Sequence, residues 1–334
     1  MFFRETKQII TKYEQPYKIA ILDIETTGLI PTTSEMVAFG VAIIEQNKTT
    51  IFQAIVEDKD EEEQLLKQLL IILEPCQILF SYNGSRFDIP YLKGRLSYHK
   101  LEFNEKIKLI DIKNISFINF WIKNKFTRAN IEDELNFSRE LTITGKELAK
   151  IIKIYIQKNF SKEGVYFEVI LGHNLEEVKS CIVMFEYLQM VQGLKWKNFL
   201  ECKRSEQALV LKFKGQNSEL KFERNGIKFI ACGQTIEVII PVEYLELKKF
   251  LEPHKDYFYI EEFNQIIHKS LANFIPSSQK KRVKKEACFI TQTNFFIRVY
   301  CKEYLELWFN DAKEPFVIYD TEPQVVWNSI KVLL

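Results

Sequence analysis

The stretch Ile19-Ala20-Ile21-Leu22-Asp23-Ile24-Glu25-Thr26-Thr27-Gly28-Leu29 determines how the rest of this chain is interpreted. Its first half is a continuous apolar run, which is typical of a buried β-strand. Asp23 and Glu25 stand two positions apart, and that spacing places both carboxylates on the same face of a strand. Two like charges on a mostly apolar strand repel each other and are costly to bury. A divalent cation is the simplest way to neutralise them, because Mg²⁺ and Mn²⁺ prefer carboxylate oxygens.

The composition is that of a folded protein without a dominant charge. The chain has 334 residues, of which 46% are hydrophobic and 27% charged, and this length suits roughly two domains. The 46 Lys and Arg nearly balance the 45 Asp and Glu, so any basic surface must be local. The first residues lack the apolar core of a secretory signal, and no apolar run approaches the roughly 20 residues of a membrane span. We expect a cytoplasmic protein with no membrane association.

The six cysteines are scattered and form no Cys-x-x-Cys pair. Reduced thiols are therefore expected rather than a zinc site built from thiolates.

The first part of the chain has an α/β pattern. Two β-rich runs, Met36–Glu45 and Thr49–Glu57, follow the first strand, and the polar Gln46-Asn47-Lys48 between them predicts a hairpin turn. Helical periodicity then alternates with short β-like runs as far as the helical segment Glu176–Leu188. This order predicts an α/β fold over residues 1–192, with a ribonuclease-H-like mixed sheet flanked by helices.

Residues 193–334 have a different pattern. Short β-like runs separated by Gly or Asn turns lie between Gln207 and Ile240. An amphipathic helix is predicted around Phe263 to Phe274. We therefore expect a second, smaller, β-rich α+β domain, whose role the sequence does not indicate.

A basic run, Lys280–Lys285, lies within this second domain and is followed by aromatic residues. Phe289, Phe295, Phe296 and Tyr300 could provide base-stacking surfaces beside cations that attract phosphate. A solvated loop next to an aromatic core explains the same residues equally well.

A second acidic position lies in Tyr82-Asn83-Gly84-Ser85-Arg86-Phe87-Asp88. The segment is predicted to be a strand end, a tight turn and the start of a helix, so the backbone would present the Asp88 carboxylate. An ordinary helix N-cap is the alternative for Asp88. Arg86 in the same loop could contact a phosphate, although many loop arginines are simply solvated. Asp111, at the end of a later apolar run, could touch a metal through water or be a surface acid at a strand end.

The third segment is Leu171-Gly172-His173-Asn174-Leu175-Glu176-Glu177-Val178, which is predicted to open a helix. Glu177 follows His173 by four residues, so the two side chains lie near the same helix face. An imidazole and a carboxylate could thus approach one metal cluster. A structural histidine, with glutamates that favour the helix macrodipole, is the alternative.

At these three places the sequence resembles the DEDD exonuclease superfamily, and most closely its bacterial YprB-like branch with a ribonuclease-H-like fold. Asp23 to Leu29 looks like the first exonuclease motif, and Tyr82 to Asp88 looks like the second. His173-Asn174-x-x-Glu177 resembles the His-Asn-x-x-Asp third motif of that branch. The resemblance covers roughly residues 16 to 190. One departure is that Glu177 replaces the last aspartate, and its extra methylene moves the carboxylate by about one bond length.

The resemblance implies a metal-dependent 3′-to-5′ exonuclease that hydrolyses phosphodiester bonds of DNA or RNA with two divalent ions, Mg²⁺ or Mn²⁺. The implied metal ligands are Asp23, Glu25, Asp88 and Glu177, and His173 would be the general base. The residues expected to contact the terminal nucleotide are Thr26, Gly28, Leu29 and Asn83, with Arg86 as a further phosphate contact. The altered last acid keeps open an alternative, a nucleic-acid-binding module with the same fold and weakened metal chemistry.

Overall fold

A six-stranded mixed sheet organises the N-terminal part of the protein, whose computed structural model describes residues 1–8, 17–45, 48–114, 127–160, 165–301 and 306–334. The strands are β1 (Phe2–Gln8), β2 (Ile19–Thr26), β3 (Met36–Glu45), β4 (Lys48–Ile55), β5 (Ile78–Ser81) and β6 (Lys108–Asp111). Their order in the sheet is β1-β4-β3-β2-β5-β6. The pairs β1/β4, β4/β3 and β3/β2 are antiparallel, whereas β2/β5 and β5/β6 are parallel. The predicted α/β fold with a mixed sheet is confirmed; residues 46–47 of the expected hairpin turn lie outside the described residues.

Five helices accompany this sheet in the described part of the chain. They are α1 (Glu62–Leu73), α2 (Asp88–Tyr98), α3 (Arg128–Glu134), α4 (Gly145–Gln157) and α5 (Val165–Gly193). β2 and β3 are buried along almost their whole length, because these central strands carry protein on both faces. This explains why their sequences are continuous apolar runs rather than alternating ones.

The remaining strands form three smaller β structures. β7 (Phe199–Arg204), β8 (Ala208–Ser218), β9 (Lys221–Arg224) and β10 (Ile227–Pro241) form a sheet in the order β7-β8-β10-β9. β11 (Glu243–Phe250), β15 (Phe289–Arg298), β16 (Trp308–Phe309) and β17 (Pro315–Ile318) form a small closed barrel. β12 (Tyr257–Ile260), β13 (Gln265–His268) and β14 (Lys280–Arg282) form a three-stranded sheet, and α6 (Lys269–Ala272) and α7 (Pro323–Ile330) are short helices.

Two predictions for this part of the chain are wrong. The expected amphipathic helix around Phe263 to Phe274 is divided between the four residues of strand β13 and the four residues of the single helical turn α6. The β-branched pair Ile266-Ile267 favours a strand that can pair with β12. Phe296, considered as a base-stacking residue, is fully buried in the barrel core with Trp308.

The chain folds into two compact units. The first comprises Met1–Phe199, Phe213–Glu223 and Phe229–Glu237. The second comprises Leu200–Lys212, Arg224–Lys228 and Val238–Leu334. The domain boundary between residues 192 and 193 remains a prediction. Among the described residues, no helix combines the length and apolar character that crossing a membrane requires.

Candidate functional site

The candidate site lies where β2 stops pairing with its parallel neighbour, β5. Pairing of β2 with β5 ends at Ile21 and Phe80, whereas pairing with β3 continues through Asp23 and Glu25. Beside the two acids, no other described strand pairs with the edge of β2 that faces β5. The Asp88 carboxylate accepts a hydrogen bond from the backbone N–H of Ile24 on this strand, which brings the second sequence motif to the first.

The loop before Asp88 is held by a second acid. The Asp111 carboxylate accepts hydrogen bonds from the backbone N–H of Asn83 at 2.8 Å and of Ser85 at 3.0 Å. Asn83 has a left-handed φ of 63°, a conformation that asparagine tolerates better than most residues. A β-carbon at Gly84 would lie 2.3 Å from the Ser81 Oγ, so only glycine fits there. Asp111 is buried because it fixes this turn, so its interpretation as a surface acid is wrong.

Asp88 is not the N-cap of α2. The N-cap is Phe87, which makes no side-chain capping bond, and Asp88 is the first helical residue. Its carboxylate accepts from its own backbone N–H, at the first residue of α2, and from that of Ile24 on β2.

Helix α5 contributes the third motif from its interior. The prediction that His173 lies at a helix start is wrong, because the helix already begins at Val165. Asn174 is fully buried, and its Nδ2 donates to Asp23 Oδ2 at 2.9 Å. Gln53 Nε2 lies 3.4 Å from Asn174 Oδ1 and donates to the Leu171 carbonyl at 2.8 Å. These bonds fix the helix against the end of β2.

His173 lies between two of the predicted acids. Its Nδ1 is 3.1 Å from Glu25 Oε1, and its Nε2 is 3.7 Å from Glu177 Oε1. Burial lowers the pKa of His173, and the charge of Glu177 opposes this. The four acids and the histidine of the sequence prediction thus meet in one region.

The acids repel one another in this setting. Burial raises the pKa of Asp23 well above its ordinary value, and the charges of Glu25, Glu177 and Asp88 raise it further. Burial likewise raises the pKa of Glu25, with added repulsion from Glu177 and Asp88. Burial raises the pKa of Asp88 to about 6, although backbone N–H groups oppose the shift. The group therefore has an excess of negative charge.

Two arginines that the sequence analysis did not identify bind Glu177. Arg139 Nη1 donates to Glu177 Oε1 at 2.5 Å, and Arg128 Nη1 pairs with Glu177 Oε2. Glu132 joins them, because it accepts from Arg139 Nη2 at 2.6 Å and lies 3.2 Å from Arg128 Nε. The guanidinium of Arg128 also lies 5.1 Å from the ring centroid of Tyr82. The only sequence signal was the four-residue spacing of Arg128 and Glu132, typical of any exposed helix.

The arginine contacts bear on how many of the four predicted acids can act as metal ligands. Both carboxylate oxygens of Glu177 are engaged by arginine, so Glu177 differs from the other three acids. In the described part of the chain, no group of three or more His, Cys, Asp or Glu side chains is arranged to hold a metal ion.

The predicted nucleotide contacts flank the acids along the chain. Thr26 Oγ1 donates to the Gly28 carbonyl at 2.8 Å, which shapes the turn after Glu25. Leu29 is 80% exposed at that turn. Asn83 Oδ1 accepts from Lys113 Nζ at 3.2 Å. Arg86 is exposed and makes no ion pair within the described ranges.

The family follows from comparison with known proteins. A family model described as RNase_H superfamily matches residues 20–189. The chain belongs to the RNase_H superfamily. The region that matches this superfamily contains all four acids and His173.

Two similar proteins are polymerases. The DNA polymerase III PolC-type of Ureaplasma parvum serovar 3 is 31% identical over 105 residues, which cover 25% of this chain and 7% of that protein. The present chain therefore spans only a small part of the length of that polymerase. The structure of the family B DNA polymerase from the hyperthermophilic archaeon Pyrobaculum calidifontis is similar over 77% of this chain and 40% of that one, with 11% identity and a TM-score of 0.42.

Proposed function

We propose that this chain is a metal-dependent 3′-to-5′ exonuclease of the DEDD type, similar to the YprB-like branch, which hydrolyses phosphodiester bonds of DNA or RNA. The observation that carries the proposal is the mutual repulsion of Asp23, Glu25 and Asp88 at the edge of β2 that faces β5. A fold alone does not give an activity. Burial and repulsion raise the pKa of these acids even though the charge of Arg128 opposes the shift at Asp23 and Asp88, and a divalent cation would offset that repulsion.

The proposed metal ligands suit Mg²⁺ or Mn²⁺, because all of their ligand atoms are hard carboxylate oxygens. Asp23, Glu25 and Asp88 would hold the ions, and Glu177 would join them only after release from Arg128 and Arg139. Bound divalent ions would activate a water and neutralise charge on the leaving oxygen.

His173 is suited to remove a proton from the attacking water. Its lowered pKa keeps the imidazole neutral at pH 7, which a general base requires. The 3.1 Å contact of Nδ1 with Glu25 favours the tautomer that carries its proton on Nδ1. Nε2 is then free to accept a proton.

The exposed turn after Glu25 is the proposed contact for the last base. Thr26, Gly28 and Leu29 form this turn, and the 80% exposed Leu29 offers an apolar surface for a base. Asn83 and Arg86 in the Asp88 loop would contact sugar and phosphate groups.

Digestion of 3′- and 5′-labelled DNA and RNA oligonucleotides with Mn²⁺ tests the proposal. We expect the 3′ label to be released first as a mononucleotide, and Asp23→Asn or Asp88→Asn to reduce the rate at least about 100-fold. Asp133→Asn is the matched control, because Asp133 is an exposed acid of α3. Absence of cleavage of every substrate, or full activity of Asp23→Asn, would contradict the proposal.

The arginines on Glu177 favour a second candidate, a nucleic-acid-binding module with weakened metal chemistry. In that case, oligonucleotides would bind equally well with and without chelator. The wild-type protein and Glu177→Ala would then be equally inactive with Mn²⁺.

A further inference from the structure

A cleft of about 800 Å³ lies in the second unit, between the three-stranded sheet and the first residues of β15. Its lining includes the cations Lys281, Arg282 and Lys284 and the aromatic residues Tyr259 and Phe289. All of these residues lie between positions 238 and 334, so the cleft is contained within one unit.

The strand register explains how cationic and aromatic side chains come together. Tyr259 on β12 pairs with Ile266 on β13 and with Lys281 on β14. Cross-strand partners point to the same face of a sheet, so these three residues share the face that lines the cleft. The basic run of the sequence is therefore strand β14 and the segment after it, rather than a loop without structure.

The cleft has an excess of positive charge. No Asp or Glu is among its lining residues. Lys281 pairs with Glu261, but both side chains are more than half exposed, and such pairs are weak in salt. Lys284 is exposed and forms no ion pair with any described residue. Arg282 pairs with Phe258 on the opposite face of the sheet, and its guanidinium lies 5.9 Å from that ring centroid. The local charge is thus available to an anionic ligand, although the whole chain is nearly neutral.

The aromatic residues are held in place by neighbours. Phe289 packs edge-on against Phe250 with ring centroids 5.8 Å apart. The Tyr259 hydroxyl donates to Asn264 Oδ1 at 2.8 Å. Fixed rings beside exposed cations that are unpaired or only weakly paired are the combination that binds bases and phosphates of one strand. An acidic peptide would bind to the cations, but it has no bases to stack on the aromatic rings.

We propose that this cleft binds single-stranded nucleic acid, with phosphates on Lys281 and Lys284 and a base on Tyr259 or Phe289. The inference goes beyond the proposed exonuclease activity, because binding here needs neither metal nor the acids of β2. Backbone attraction and stacking do not depend on base sequence, so the site accepts DNA and RNA of any sequence.

Fluorescence anisotropy of the full chain with labelled oligothymidylate and oligouridylate of about 16 nucleotides tests the proposal. Chelator is present throughout, so cleavage plays no part and a failed nuclease proposal does not affect the result. The double variant Lys281→Glu/Lys284→Glu should weaken binding at least about tenfold and reduce the slope of log Kd against log salt by about 1.4, at about 0.7 per phosphate contact. Tyr259→Leu should weaken binding with an unchanged salt slope.

Lys228→Glu/Lys255→Glu is the matched control, because both lysines are exposed in the same unit and the change in net charge is identical. Thermal melts confirm that each variant is folded. Equal weakening by the control would show a general charge effect and overturn the proposal. Unchanged affinity of the Lys281/Lys284 variant would also overturn it, as would equal competition by polyglutamate and by unlabelled oligonucleotide.

Discussion

Asn174 on α5 occupies the space that a side chain on Gly40 of β3 would need. A β-carbon built on Gly40 would lie 2.2 Å from Asn174 Oδ1 and 2.9 Å from Val178 Cγ2. Both distances are shorter than van der Waals contact. The absence of a side chain at Gly40 therefore sets how closely α5 approaches the sheet, and hence whether Asn174 reaches Asp23.

Gly40→Ala should displace α5 and with it His173 and Glu177. We expect a loss of about 1–3 kcal/mol in the free energy of unfolding, as for overpacked cores, and a larger relative loss of nuclease rate. Urea denaturation and oligonucleotide digestion measure the two effects. Gly145→Ala is the control, since nothing lies within 4 Å of a β-carbon there. Wild-type stability and rate in Gly40→Ala would contradict the close-packing argument.

Arg139→Gln should release one oxygen of Glu177 and remove a positive charge beside the acids. At an effective dielectric constant of about 20, one unit charge at about 4 Å is worth about 4 kcal/mol, so Mn²⁺ affinity should rise at least about tenfold. Stability should fall by about 1.5–3 kcal/mol, because Glu132 loses charged hydrogen bonds. Isothermal titration calorimetry with Mn²⁺ measures the affinity.

Arg4→Gln makes the same charge change at an exposed pair with Glu168, and its Mn²⁺ affinity should equal that of the wild type. Weaker Mn²⁺ binding by Arg139→Gln would show that the arginine positions Glu177 rather than competing with the ion.

The pKa of Asp88, raised from 3.8 to about 6, gives stability a pH dependence. Between these values the folded protein holds a proton that the unfolded chain releases. Folding takes up protons there, so the contribution of Asp88 to the free energy of unfolding is full below 3.8 and is lost as pH rises through about 6. Asp88→Asn should remove this contribution. Denaturation of the wild type and of the variant between pH 3.8 and about 6, with chelator present, measures it. Parallel pH profiles would disprove the assignment.

Glu62→Ala should be among the most destabilising single changes in α1. The Glu62 carboxylate accepts from Arg95 Nε at 2.7 Å and from the Met36 backbone N–H at 2.7 Å, and both charged side chains are buried. Removing one partner of a buried ion pair typically costs about 3–5 kcal/mol. The neighbouring Glu63→Ala removes only an exposed pair with Lys67 and should melt near the wild-type temperature. Equal melting temperatures for the two variants would contradict a dominant role for the buried pair.

The sequence revealed those features that depend on local pattern. The apolar run before Asp23 predicted a buried strand, and the spacing of two predicted that Asp23 and Glu25 share a face. The distance of four between His173 and Glu177 predicted their contact even though the helix start was misplaced. Helix and strand periodicities are local, and they survive errors of several residues in element ends.

Long-range partners could not be predicted in this way. Arg139 belongs to no regular helix or strand, and its contact with Glu177 spans 38 positions. Asp111 was considered as a surface acid at a strand end or as an outer metal ligand, yet it holds the loop that contains Asn83. Such hydrogen bonds depend on where the backbone passes in space, and no residue spacing in one sequence encodes that.

Helix α5 is a single rod of 29 residues, about 43 Å long at 1.5 Å per residue. His173 lies near its beginning, and further along the same rod Tyr187 packs edge-on against Phe222 with ring centroids 5.4 Å apart. Backbone hydrogen bonds from each N–H to the carbonyl four residues earlier join these two positions within one helix. The placement of His173 and the packing against the strand of Phe222 therefore depend on the same helix, so a substitution that moves this helix at Tyr187 is expected to move the imidazole as well.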